Sequence, residues 1–161
     1  MVADRGGEIS VRTAELRDVS SIRSIDRQVF ARPWSEKLTK EQLSRSVGRH
    51  YVAETNRIVA HAGMAFVADD AHITTIAVDP HYQRLGIASQ LVEVLIAEAS
   101  RMLPGSLTLE VRVGNTAAIA LYERLGFTSS GIRPGYYGDN GEDALIMWRT
   151  LESERLRVEQ G

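Results

Sequence analysis

The spacing of apolar residues changes period several times along the chain, and each change marks an element. Ile9, Val11 and Thr13 alternate with polar neighbours, the two-residue period of a half-buried strand. From Val19 the period lengthens. Val19, Ile22, Ile25, Val29 and Phe30 recur at helical spacing behind Asp18, a natural N-cap, and Pro33 ends the run. Ser35 with Leu38 and Leu43 predicts a second, shorter helix. Alternation returns in residues 51–54 and 58–67, two strands around Thr55-Asn56-Arg57, and Asp69-Asp70 marks the next hairpin turn. Residues 72–78 read as a further strand. Ile87, Leu91, Leu95 and Ala99, with Ala88, Val92 and Ile96 beside them, then give a long helix one wide apolar face, which Pro104-Gly105 terminates. Residues 107–113 alternate again, Asn115 opens a short helix with Gly126 as its C-terminal cap, and residues 127–133 and 143–150 form the last strands about a glycine-rich loop.

This order is mixed αβ, and the size suits one core. At 161 residues with 43% hydrophobic and 25% charged side chains, the chain is long enough for one proper core and too short for two. Residues 1–161 are therefore expected to form a single domain, with 1–7 and 152–161 as flexible tails. A net charge of -2 and a pI near 6.1 argue against a broad field for nucleic acid. Lys37 and Lys40 are the two lysines among 19 basic residues; the remainder are arginines, which leaves room for local basic patches. With no cysteine, neither disulfide nor thiolate nucleophile is available. The N-terminus has no apolar signal core, and the longest apolar stretch, 58–68, is interrupted by His61 and too short for a bilayer. A soluble, cytoplasmic protein with no membrane partner is expected. His50, His61, His72 and His81 do not have metal-ligand spacing, so no metal is expected, and His81 reads as a solvated loop residue.

Gln83-Arg84-Leu85-Gly86-Ile87-Ala88 stands between the strand ending at Val78 and the long amphipathic helix. Strand, glycine turn and helix N-terminus in succession make a phosphate cradle. The first amides of a helix have no intrahelical partner, the macrodipole adds about half a positive charge, and a glycine lets an anion approach the backbone. The glycine spacing fits neither the dinucleotide fingerprint nor a P-loop. Taken alone, the turn is also explained as plain turn chemistry.

Further features narrow the choice. Leu109-Glu110-Val111-Arg112, Asn115 through Leu121-Tyr122-Glu123-Arg124-Leu125-Gly126-Phe127, Ile76-Ala77-Val78-Asp79-Pro80, Pro33-Trp34-Ser35, Arg133-Pro134-Gly135-Tyr136-Tyr137 and Glu142-Asp143-Ala144 together resemble the GNAT acetyltransferases. Within that family the set looks like the RimI-type branch, which acetylates the N-terminal alanine of a ribosomal protein. The resemblance runs from about residue 8 to residue 151. It implies a mixed α+β GNAT fold: a twisted, mostly antiparallel sheet of about seven strands with four helices, splayed around the acetyl-CoA site. It also implies acetyl-CoA as donor and the N-terminal segment of a ribosomal protein as acceptor, met as a peptide without direct nucleic acid contact. Two other readings stay open: a GNAT enzyme acting on lysine side chains or a small amine, and an acyl-CoA-binding module without turnover.

Acyl transfer to an amine needs a neutral nucleophile, a polarised thioester and a proton for the departing thiolate. A protein α-amine has a reference pKa of about 7.7 to 8.0 against about 10.4 for lysine, so its deprotonation at neutral pH costs roughly 3 kcal/mol less. A carboxylate acting through water can then suffice. Glu110 points away from the face of Leu109, Val111 and Val113; strand alternation alone favours a cross-strand salt bridge, and the resemblance makes it the general base. Tyr122, which shares a helical face with Ala118 and Leu125, is either a packing residue or, by resemblance, the general acid. Asn115 caps its helix and, by resemblance, also contacts the pantetheine arm. The resemblance further assigns backbone groups of Ile76, Ala77 and Val78 to the acetyl end and pantetheine. It puts the pyrophosphate over the amides of Arg84, Leu85, Gly86, Ile87, Ala88 and Ser89, with Ala88 where a glycine is common. Phe30, Trp34, Tyr136 and Tyr137 are the expected walls of the acceptor groove, and Trp34 reads equally well as a core anchor.

Overall fold

A computed structural model describes residues 8–102 and 105–151. The strands are β1 (Ser10–Thr13), β2 (Gly48–Glu54), β3 (Ile58–Val67), β4 (Asp70–Val78), β5 (Ser106–Arg112), β6 (Thr128–Arg133) and β7 (Ala144–Thr150). The helices are α1 (Val19–Val29), α2 (Glu36–Ser44), α3 (Ile87–Met102) and α4 (Thr116–Arg124). One seven-stranded sheet runs in the order β1-β2-β3-β4-β5-β7-β6. The β1–β2, β2–β3, β5–β7 and β6–β7 pairs are antiparallel and β4–β5 is parallel, so the sheet is mostly antiparallel, as expected.

By contact the chain divides into two compact units. One comprises the chain up to Ala65 and Thr74–Val92, the other Phe66–Ile73 and everything from Glu93. In the first, α1 buries Val19, Ile22 and Ile25, and β2 and β3 contribute Val52, Ala53, Val59, Ala60, Ala62 and Met64. In the second, β5 alternates cleanly: Leu107, Leu109 and Val111 are buried with Leu95, Ala99, Phe127 and Met147, while Thr108, Glu110 and Arg112 occupy the other face. That polar face holds Glu110 and the partners described below.

Several boundaries differ from the sequence reading. Asp18 does not cap α1 through its side chain: it closes a 3-10 turn, Leu16–Asp18, where its carboxylate accepts the Glu15 amide at 2.7 Å and is held by Arg12 at 2.8 Å. Arg12 also reaches Glu54, so the carboxylate is spent on joining β1, β2 and the turn. The turn between β3 and β4 is Ala68-Asp69 rather than Asp69-Asp70, with Ala68 left-handed at φ 53 and Asp70 already in strand. Strand β2 starts at Gly48 because His50 is buried, an inward polar residue that hides the alternation. Strand β5 stops at Arg112, which leaves Val113 38% exposed in the following turn. Pro104 and the two tails lie outside the described residues.

Candidate active site

The phosphate-cradle segment lies wholly within the first unit. The parallel β4–β5 ladder covers Ala71↔Leu107 and His72↔Thr108, so Ile76, Ala77 and Val78 lie beyond it on β4. Ala77 and Val78 are buried. After β4 the chain makes a 3-10 turn, Pro80–Tyr82, which the sequence reading missed. Asp79 sets that turn: its carboxylate accepts the His81 amide at 2.9 Å, bonds the His81 ring at 3.0 Å and pairs with Arg57 at 3.2 Å. Burial pushes the Asp79 pKa upward, but the His81 and Arg57 donors outweigh it and hold the acid below the usual range. Arg57 also lies over the Tyr82 ring, 5.1 Å from its centre.

Gln83 returns to the Val78 carbonyl at 3.1 Å, and the chain then enters two left-handed positions, Arg84 at φ 63 and Gly86 at φ 81. A non-glycine residue in that region stores of order 1–3 kcal/mol. Alternating left-handed positions turn successive amides toward one concavity, the geometry of an anion nest. Helix α3 begins at Ile87, and Gln90 N–H to Gly86 C=O, 3.1 Å, is its first closing bond. The amides of Ile87, Ala88 and Ser89 precede it and have no intrahelical acceptor. A Cβ on Gly86 would meet nothing within 4 Å, so the space above the turn is open. These residues fit a diphosphate. The sequence reading gave the glycine a steric role; within the protein its role is conformational.

The second unit carries Glu110 and Tyr122. Glu110 keeps 14% of its side chain exposed. Its Oε2 lies 2.8 Å from His72 Nε2 and its Oε1 accepts from Arg133 Nη1 at 3.1 Å. His72 Nδ1 in turn lies 2.7 Å from the Thr108 hydroxyl. The carboxylate thus bonds His72 on the neighbouring strand and forms an ion pair with Arg133 two strands away, which leaves it largely shielded from solvent.

Tyr122 is 9% exposed and packs edge to face on Phe127, ring centres 5.8 Å apart. The contact belongs to a helix-stop motif. Phe127 N–H bonds the Tyr122 carbonyl at 3.0 Å, Gly126 N–H bonds the Glu123 carbonyl at 3.1 Å, and Gly126 is left-handed at φ 92. This is a Schellman end with its characteristic apolar pair. Burial, with a smaller contribution from Tyr137, pushes the Tyr122 phenol up to about 12. Asn115 caps α4 as expected, its Oδ1 accepting the Ala118 amide at 3.2 Å.

Tyr136 is 46% exposed and meets Tyr137 edge to face at 5.0 Å. Their loop is organised by Arg112, which the sequence reading did not single out. Its guanidinium lies 4.0 Å from the Tyr137 ring centre and bonds Asp139 at 2.9 Å, Asn140 at 3.2 Å and Glu142 at 3.2 Å. Glu142 also accepts the Gly114 amide at 2.9 Å. A β5 arginine followed within 30 residues by Asp139, Asn140 and Glu142 was the available signal. In the first unit, Trp34 is half-buried between α1 and α2 and Phe30 is 36% exposed. Also unforeseen is a buried chain in that unit: His50 Nε2 lies 3.0 Å from His61 Nδ1, and His61 Nε2 lies 2.6 Å from Asp26. Burial, then the neighbouring His61, pushes the His50 pKa down to about 3.

The chain is similar to known proteins in sequence and in fold. The acetyltransferase (GNAT) family pattern matches residues 19–127. The [ribosomal protein bS18]-alanine N-acetyltransferase of Escherichia coli K12 is 39% identical over 140 residues, 86% of this chain and 95% of that protein. A Bacillus subtilis protein named as a putative enzyme of the same kind is 35% identical over 144 residues, 88% and 95% of the two chains. The crystal structure of the Escherichia coli ribosomal-protein-S18-alanine N-acetyltransferase superposes with a TM-score of 0.83 at 37% identity, covering 90% of this chain and 95% of that one. The chain belongs to the GNAT family and is an acetyl-CoA-dependent N-acetyltransferase.

Proposed function

We propose that this chain, acting as one GNAT domain in the cytoplasm, transfers acetyl from acetyl-CoA to the N-terminal alanine of ribosomal protein bS18. The observation that carries the reading is the 39% identity to the enzyme of that name, maintained over 86% of this chain. Acetyl-CoA supplies the activated thioester. The left-handed turn at Arg84–Gly86 and the free amides of Ile87, Ala88 and Ser89 bind its diphosphate, and the Arg84 side chain adds a positive charge. Backbone groups of Ile76, Ala77 and Val78 and the Asn115 side chain hold the pantetheine arm. Glu110 accepts a proton from the incoming α-amine through water, which leaves the amine lone pair free to attack. Tyr122 then protonates the sulfur as the thiolate leaves; its raised pKa keeps the proton on the phenol until that moment. Transfer is direct, and the chain has no cysteine to carry the acyl group. Trp34, Tyr136 and Tyr137 line the peptide path.

The test is mass spectrometry of two peptide sets incubated with enzyme and acetyl-CoA. One begins with the bS18 N-terminal alanine; the other is Nα-blocked and contains lysine. Acetylation confined to the free α-amine of the first set is expected. Modification of the second set alone would overturn the assignment.

A further inference from the structure

We propose that His72 is a positioning residue for Glu110, fixing the orientation of the carboxylate for proton abstraction; the inference rests on the role given to Glu110 above. The geometry begins with register. His72 on β4 is paired with Thr108 on β5, and Glu110 lies two residues further along the same face, the diagonal distance that a long side chain spans. The imidazole consequently bridges two β5 side chains, Thr108 at 2.7 Å and Glu110 at 2.8 Å.

The two partners define the tautomer. An ionised carboxylate accepts only, so Nε2 carries the hydrogen and donates it to Oε2. In the neutral ring Nδ1 then accepts the Thr108 hydroxyl. The alternative acceptor for that hydroxyl, the Ala71 carbonyl, is 3.5 Å away, at the limit of a hydrogen bond. Thr108 therefore locks the ring in the orientation that serves Glu110. On the other side, Arg133 of β6 holds Oε1 at 3.1 Å. With one donor fixed on each oxygen, the carboxylate cannot rotate, and each oxygen retains a lone pair for water or amine. Tyr137 of the glycine-rich loop also feels this carboxylate: its pKa is raised mainly by burial and in part by Glu110.

Removing the imidazole frees the carboxylate to rotate. The H72L variant is expected to lose about tenfold or more in kcat, the range for one hydrogen bond to a charged group, with KM for acetyl-CoA unchanged. H72Q, whose amide N–H can still donate to Oε2, should recover most of the lost kcat, an outcome that mere packing would not produce. T108V, which removes the hydroxyl while preserving shape, should show a smaller fall and serves in its place should H72L fail to fold. In an E110Q background, H72L should add little, since it acts through the missing group.

The assay uses whichever free amine the wild-type chain acetylates, so it does not depend on bS18 as acceptor. If E110Q turns over normally, the base assignment fails and this inference with it. If E110Q is slow while H72L matches wild type, H72Q is as impaired as H72L, or the effects are additive, the inference alone is overturned.

Discussion

Gly86→Ala separates what the turn does for the protein from what it does for the ligand. Gly86 sits at φ 81, and a Cβ there would meet no atom within 4 Å. The cost in the free protein is therefore conformational, about 1–2 kcal/mol for an L-residue held left-handed. For a chain of 161 residues this corresponds to a fall in Tm of roughly 2–8 °C. The new methyl projects into the open space above the amides of α3, where a diphosphate would rest. Coenzyme A affinity should consequently fall at least about tenfold, or 1.4 kcal/mol, and fall further in Gly86→Val, whose branched side chain fills more of that space. Differential scanning calorimetry gives the first quantity and isothermal titration with coenzyme A the second. Folded Gly86→Ala and Gly86→Val proteins that bind coenzyme A as tightly as wild type would refute the cradle. A fall in Tm well beyond 8 °C would show that the turn is packed against protein, contrary to the open space around it.

Other perturbations test the rest of the site. Tyr122→Phe keeps the ring against Phe127, so Tm should change little while kcat drops about 100-fold or more; because the wild-type phenol is raised to about 12, its ionisation should leave no descending limb in the rate below about pH 10, which a pH–rate profile checks. Gly126→Ala forces a side chain at φ 92 to within 3.3 Å of Arg149 Nε, and circular dichroism melts should show it destabilised by about 1–2 kcal/mol. Arg112→Ala releases Asp139, Glu142 and the Tyr137 ring together, so KM for the peptide should rise several-fold with KM for acetyl-CoA unchanged, as measured by steady-state kinetics. His50 is depressed to about 3 when folded and titrates near 6.5 when unfolded, so below pH 6.5 the unfolded chain binds the extra proton. Stability is full above pH 6.5 and declines as pH falls toward 3, by at most about 1.4 kcal/mol per unit; urea titrations at pH 7, 6 and 5 should show the decline, and His50→Asn should lessen it.

Periodicity exposed the elements better than their ends. The apolar faces of α1 and α3 and the alternation of β5 were legible because buried side chains repeat at the pitch of the backbone. The glycine turn before α3 was legible too, since a glycine between a strand and a helix has local meaning. Ends were missed where a polar side chain was committed elsewhere: Asp18 looks like a helix cap, but Arg12 and the Glu15 amide claim it. Long-range polar partnerships left little trace. His72 and Glu110 are 38 positions apart, and Asp26 reaches His61 across 35, so only the pairing of strands and helices brings them together. Arg112 illustrates the same limit, because its partners come from a loop whose path no local rule supplies.

The stop of α4 has a consequence for what changes this region tolerates. The two hydrogen bonds that end the helix use the carbonyls of Tyr122 and Glu123, and the aromatic lid on that end is Phe127. From the Asn115 cap to Tyr122 is seven residues, about 10.5 Å of helix. α4 is in effect a measured strut, with its length set at both ends by hydrogen bonds and the phenol mounted at a defined height. Although much of its surface is exposed, a one-residue insertion between Asn115 and Tyr122 would rotate the phenol by about 100° and lift it by about 1.5 Å. Substitutions on its outer face should be absorbed; changes in its length should not.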